Sequence, residues 1–287
     1  MKKKILVPLD GSELSEIVFP WVRFLVEKIY AEHKVTLLRT FELPSMVYLL
    51  PEVSVPTSSF YNQDRLGQVV MEYLEAKKEE LAPLPVSCRL AIGEAADEIV
   101  QRAEKYPLVV MASHGRGGLG KWLLGSVATK VVRAVTTPVL IVGAESQSKD
   151  APALNRIVVA VDGSEVSQRA FEKACEWGRP YGAEIFLYRA VSQVELSHQL
   201  MLEDNIKTAS KAEKELHDLA EQETELKVEC TVKETYGEAG ILDFVEEKKA
   251  DLLVMGSHGK SGFQRFLLGS ETEKVLQHAH CPVLVVH

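Results

Sequence analysis

The sequence predicts an α/β fold, arranged as two tandem, doubly wound domains that each carry a five-stranded parallel sheet. Three observations predict it: the chain repeats itself, strand and helix periodicities alternate along each repeat, and the strand segments are apolar throughout. "KKILVPLDGSELSE" at 3–16 matches "NRIVVAVDGSEVSQ" at 155–168, and "KVTLLRTFE" at 34–42 matches "EIFLYRAVS" at 184–192. "GEAADEIVQRAEKYPLVVMASHG" at 93–115 matches "GEAGILDFVEEKKADLLVMGSHG" at 237–259, and "TTPVLIV" at 136–142 matches "HCPVLVV" at 280–286. Duplicated supersecondary units of this kind stand out before any other pattern is read.

The elements follow in order. "ILVPL" and "IVVAV" are short apolar runs closed by "DGS", which predicts a buried strand and a turn. Apolar residues at helical spacing come next, at 13–32 in the first copy, where Pro20 is expected to kink or split the helix. "VTLLRTF" is the second strand. A long charged amphipathic helix is expected near 62–82 and near 195–224. Strand "VSCRLAI", helix "EAADEIVQRAEK", strand "LVVMAS", a glycine-rich loop, helix "SVATKVVRAV" and strand "VLIV" complete the copy. Strands apolar on both faces and alternating with helices make a covered parallel sheet, and right-handed crossovers wind it both ways.

The offset between copies is 152 positions at Asp10 and Asp162, 150 at Arg39 and Arg189, and 144 at Gly93 and Gly237. The first copy therefore has six extra residues, near the Pro- and Ser-rich stretch 44–60, which is unsuited to a long helix. A polar, Pro-containing segment separates the copies. The division is a first domain over 1–145, a linker over 146–155 and a second domain over 156–287.

The net charge of −8 argues against a nucleic-acid surface as the main business of the chain. Cys88, Cys175, Cys230 and Cys281 are widely spaced, with no C-x-x-C pair, so reduced and mostly buried thiols in a cytoplasmic protein are expected. "MKKKILVPLDGSE" has too short an apolar run for a secretory signal, and no run approaches the roughly 20 residues that cross a bilayer.

The glycine loop is the feature that points to chemistry. "MASHGRGGLGKWLLGSVATKV" at 111–131 and "MGSHGKSGFQRFLLGSETEKV" at 255–275 agree at 11 of 21 positions. In a doubly wound sheet ligands bind at the carboxyl ends of strands where the winding reverses. The loop follows strand four and Asp10 or Asp162 follows strand one, so the two face one crevice if strands one and four are neighbours. Ser126 and Ser270 are candidate N-caps, and a helix start behind glycines attracts anions. The alternative is a glycine-rich turn and capped helix with no ligand, against which the length of the loop counts. A Walker A loop is absent, because Val254 stands where "GKS" at 259–261 would need glycine, and no dinucleotide G-x-G-x-x-G follows strand one.

These residues resemble the universal stress proteins, which carry G-x-x-G-x9-G-[S/T] after the fourth strand. Gly256, Gly259, Gly269 and Ser270 fit that pattern fully, and Gly115, Gly125 and Ser126 fit it with Ala112 in place of the first glycine. The resemblance covers both copies and implies two Rossmann-like adenine-nucleotide-binding domains, holding ATP or AMP with or without Mg. By the same resemblance Asp10 with Thr40, and Asp162 with Ala190, hold the adenosine, while the loop and its serine hold the phosphates. The leading reading is a stress-response regulator that is not an enzyme, because nothing in the sequence looks like a base, metal or nucleophile set for phosphoryl transfer, with slow ATP hydrolysis left open. An ATP-hydrolysing or adenylating enzyme of a related fold is the second reading, although such enzymes place the glycine loop after strand one. The third is a structural module that dimerises through its last strand, so that "PVLIV" and "PVLVV" pair within one chain or between two chains. Ala112 places a Cβ where main chain is expected to approach the ligand, which counts against the first copy. Glu271 and Glu273 suit the helix dipole but repel a triphosphate, which counts against the second.

Other features carry blander readings. His114 and His258 are expected to shape the turn by hydrogen bonding rather than to act as bases, and "HAHC" at 278–281 is set aside as a metal site. Arg39 and Arg189 end strand two, where a salt bridge and a phosphate contact are both open. Arg116, Lys121, Lys260 and Arg265 are either counter-charges for phosphate or solvated loop residues, and 211–225 reads as a solvated acidic helix face.

Overall fold

The computed structural model describes residues 4–41, 57–114, 124–144, 152–191, 202–235, 239–259 and 268–287. The first repeat holds strands β1 (Lys4–Pro8), β2 (Lys34–Phe41), β3 (Val86–Ile92), β4 (Val109–Ala112) and β5 (Val139–Val142). Its helices are α1 (Glu13–Glu16), α2 (Phe19–Lys28), α3 (Thr57–Glu80), α4 (Ala95–Ala103) and α5 (Ser126–Ala134). The second repeat holds β6 (Arg156–Ala160), β7 (Glu184–Val191), β8 (Val228–Glu234), β9 (Leu252–Gly256) and β10 (Val283–Val286). Its helices are α6 (Glu165–Gly178), α7 (Leu202–Ala220), α8 (Ala239–Lys248) and α9 (Ser270–His278).

The two predicted five-stranded sheets are joined into one of ten strands, in the order β3-β2-β1-β4-β5-β10-β9-β6-β7-β8. Every pairing inside a repeat is parallel, and the junction between β5 and β10 is antiparallel. At that junction Leu140 faces Leu284, Val139 faces Val285 and Ile141 faces Val283. Leu140 and Leu284 are equivalent residues of the two repeats, so a local two-fold axis passes through their pair. The expected pairing of "PVLIV" with "PVLVV" is thus made within the chain.

Alternation along each strand feeds two apolar layers, one per face, and both cross the junction. Ile5 and Val7 join Trp21, Leu25, Phe171 and Trp177 on one face, while Leu6 joins Ile99, Val131 and Phe244 on the other. Phe24 of α2 stacks on Tyr181 across the two-fold, with ring centroids 5.3 Å apart.

Pro20 splits its helix as expected: α1 ends at Glu16 and α2 begins at Phe19 with the proline in its first turn, where a missing N–H costs nothing. The second repeat lacks that proline, and α6 runs unbroken for 14 residues. α3 begins at Thr57, so the last four residues of the stretch read as unsuited to helix are helical, and 44–56 lies outside the described residues.

Over α7 the acidic segment 211–225 presents the expected solvated face, with Lys211, Glu213, Lys214, His217 and Asp218 exposed and Lys211 paired with Glu215 at i,i+4. It departs from that reading only past the helix end. α7 ends at Ala220, its Ala212, Leu216 and Leu219 are buried, and the chain then turns Glu223 inward. The Glu223 carboxylate accepts from the Arg179 guanidinium at 2.6 Å and from the backbone N–H of Glu225 at 2.8 Å and of Leu226 at 3.2 Å. Burial alone would raise its pKa, but the Arg179 charge, the Glu225 N–H and the Cys175 thiol outweigh burial and hold it below the ordinary carboxylate value. A depressed carboxyl adds stability above its unfolded pKa of about 4.3 and loses it as pH falls through the folded value. Acid titration followed by circular dichroism should therefore find Glu223→Gln less stable than wild type at neutral pH. The gap should close as the solution is acidified below pH 4, and a constant gap down to pH 2 would contradict this account.

Candidate functional site

Strands β1 and β4 are neighbours, as are β6 and β9, so in each repeat the turn after strand one lies beside the loop after strand four. Both turns are built alike. Asp10 Oδ1 accepts from the Ser12 N–H at 2.9 Å and hydroxyl at 2.6 Å, and Asp162 Oδ1 accepts from the Ser164 N–H at 3.0 Å and hydroxyl at 2.6 Å. Ser12 and Ser164 then cap the following helices through the N–H groups of Ser15 and Ser167. Gly11 and Gly163 have φ of 79° and 82°, a region that favours glycine, so "DGS" needs its central residue. Continuing the register Pro8↔Leu38 by two places brings Asp10 level with Thr40, and Ala160↔Tyr188 likewise brings Asp162 level with Ala190.

The far side of the crevice differs from the expected caps. The N-cap residues of α5 and α9 are Gly125 and Gly269, with φ/ψ of −59°/149° and −59°/140°. Ser126 and Ser270 are the first helical residues, exposed, with no capping role. A glycine cap offers no side chain to the first-turn amides, in contrast to Ser12 and Ser164 at the neighbouring helices. The glycines are tied down by their own N–H groups, Gly125 to Ser113 O and Gly269 to Ser257 O, both at 2.8 Å.

Loop and turn meet in the second repeat. A Cβ on Gly259 would lie 2.5 Å from Asp162 Oδ2, so the glycine is in contact with the carboxylate. Gly115, its equivalent, lies outside the described residues, as do Arg116, Lys121, Lys260 and Arg265. A Cβ on Gly256 would meet Val166 Cγ1 of α6 at 2.9 Å. That position therefore points into helix packing, and Ala112 is buried in the equivalent apolar layer of the first repeat. The expectation that Ala112 intrudes toward a ligand fails for that geometric reason.

His114 Nδ1 bonds Ser113 Oγ at 2.9 Å and His258 Nδ1 bonds Ser257 Oγ at 3.0 Å, in keeping with the turn-shaping role. Burial lowers the pKa of His114. Arg189 forms a salt bridge with Glu215 at 2.5 Å, and Arg39 packs over Gly11 and lies 5.0 Å from the Tyr73 ring. Cys175 and Cys281 are buried, Cys88 and Cys230 half-buried, and all four are free thiols. Burial raises their pKa values, to about 11 for Cys88 and about 12 for Cys175 and Cys281. Among the described residues no cluster of three or more His, Cys, Asp or Glu is placed to hold a metal ion.

By sequence, Glu273 in the first turn of α9 confronts any phosphate at that helix start. Its carboxylate is instead held at 2.6 Å by Arg133, in the last turn of α5 and so in the other repeat. Thr272 beside it donates to Gly256 O at 3.1 Å, pinning the start of α9 to the end of β9.

The sequence pattern of the universal stress protein family matches residues 1–143 and again 153–287. The chain belongs to the universal stress protein family. A universal stress protein of Mycobacterium tuberculosis is 29% identical over 98% of this chain and 96% of its own length. One from Methanocaldococcus jannaschii is 38% identical over 46% of this chain and 81% of its own. Among solved structures, a universal stress protein from Archaeoglobus fulgidus superposes with a TM-score of 0.72 at 22% identity, covering 100% of this chain and 98% of that one. A Pseudomonas aeruginosa relative reaches 0.64 at 18% identity, covering 99% and 92%. These two establish the fold. This universal stress protein is thus a tandem member of mixed α/β architecture with a mostly parallel sheet. No helix among the described residues is long and apolar enough to cross a membrane.

Proposed function

We propose that the chain is an adenine-nucleotide-binding regulator of the stress response, taking ATP or AMP at the carboxyl ends of its strands, with no strong catalytic site. The observation that carries this reading is the opposition of Asp162 to Gly259 across the crevice, with the glycine-capped start of α9 beside it. An aspartate suits ribose hydroxyls, and helix amides without a side-chain cap suit phosphate oxygens. Asp10, Thr40, Gly115, Gly125 and Ser126 are the proposed counterparts in the first repeat, with Ala190, Gly269 and Ser270 completing the second. Ala112 and Gly256 support the site from the helix side. The two repeats act as a pseudo-dimer within one chain, over the domains 1–145 and 156–287. Four free thiols suit a reducing compartment, the cytoplasm.

Calorimetric titration of the whole chain with ATP, ADP and AMP, with and without Mg, tests the reading. Saturable binding is expected for at least one of them. No heat and no thermal shift at millimolar nucleotide would overturn it. In a parallel turnover assay, product formation at a rate of about 1 per second, ordinary for an enzyme, would favour the enzymatic alternative instead.

A further inference from the structure

We infer that Arg133 of the first repeat is a positioning residue for the second nucleotide site: by neutralising Glu273 it lets the start of α9 accept an anionic ligand. The inference rests on the proposed function and concerns how that same site is controlled.

The bridge breaks the two-fold symmetry of the chain. An isologous junction makes each of its contacts twice. The Arg133–Glu273 contact has no twin, because the positions equivalent to Glu273 and Arg133 are Thr129 and Gln277. The repeat whose loop helix starts with two carboxylates is the one that receives a guanidinium from its neighbour. The repeat with Val127 and Thr129 at that place receives none from Gln277. Glu273 sits in the first turn of α9, where its charge opposes that of a phosphate, and Arg133 Nη2 meets its Oε2 at 2.6 Å. The neighbouring Thr272 ties the same turn to Gly256 at the end of β9, so the bridge is built into the frame of the crevice.

The test is ATP titration of the full chain, with the second site defined as the binding component that disappears in Gly269→Val. Arg133→Gln is expected to weaken that component about two- to fivefold, the scale of an exposed charge pair. Arg133→Lys should restore most of it, and the double variant Arg133→Gln with Glu273→Thr should restore it fully. Raising the salt concentration should narrow the gap between Arg133→Gln and wild type, an effect that a merely structural role would not produce. A Gly269-dependent component that Arg133→Gln leaves unchanged overturns this inference and leaves the nucleotide reading standing. If no component depends on Gly269, the reading of the second repeat fails, and the role of Arg133 falls with it.

Discussion

Gly269→Val is expected to abolish nucleotide binding by the second repeat, a loss of about a hundredfold or more and so roughly 3 kcal/mol, while the fold survives. The position suits the experiment because the protein itself tolerates a side chain there. The nearest atoms to a Cβ on Gly269 would be Thr272 Oγ1 at 3.5 Å and His258 Cα and Ser257 O at 3.6 Å, all at ordinary contact distance. Its dihedrals of −59° and 140° are ones that any residue adopts. What a side chain at the N-cap does take away is the close approach of a phosphate to the helix amides. Gly259 would be a poorer choice, since its Cβ would displace the Asp162 carboxylate and confuse two losses. Calorimetry reads the affinity and thermal unfolding reads the fold. Wild-type affinity in a folded Gly269→Val protein would remove the loop of the second repeat from the proposal.

The second large effect is expected at the two-fold. Leu284 is fully buried and pairs with its own equivalent, Leu140, at the centre of the junction. Leu284→Ala should cost about 2–5 kcal/mol, through lost transfer energy and the cavity left behind. Leu284→Asp should cost more, because a carboxylate there has no partner in an apolar layer, and should separate the repeats into two unfolding transitions. Urea denaturation monitored by fluorescence reads both. A cost below about 1 kcal/mol for Leu284→Ala, smaller than the usual range for such truncations, would mean that the junction contributes little to stability.

Much of the fold was legible because its determinants are local. Apolar runs bounded by "DGS" and "SHG" set the strands, and repetition supported those readings twice, while Pro20 set a helix break that the second repeat does not share. The adjacency of β1 to β4 came from a general rule of winding. What escaped the sequence depends on tertiary direction. Ser126 and Ser270 were one position too far into their helices to cap them, since Gly125 and Gly269 already have the extended backbone of a cap. The Ala112 side chain, and a Cβ built on Gly256, point toward the helix layer, which depends on strand pleat and not on motif spacing. Glu223 looked like one more surface carboxylate until the helix ended three residues before it. Arg133 and Glu273 lie 140 positions apart and occur in only one orientation, so comparing the copies with each other could not reveal them. The sequence signals are that Glu273 stands where the first repeat has Thr129 and Arg133 where the second has Gln277, neither of which names its partner.

The covalent connection between the two halves makes their association unimolecular. Two separate chains joined through one strand apiece would drift apart on dilution, whereas strands fastened to the same backbone stay together at any concentration. A self-paired polypeptide also frees its halves from being identical. A mutation in a symmetric homodimer is inherited on both sides at once, but here one half can change its charge while the other keeps its own.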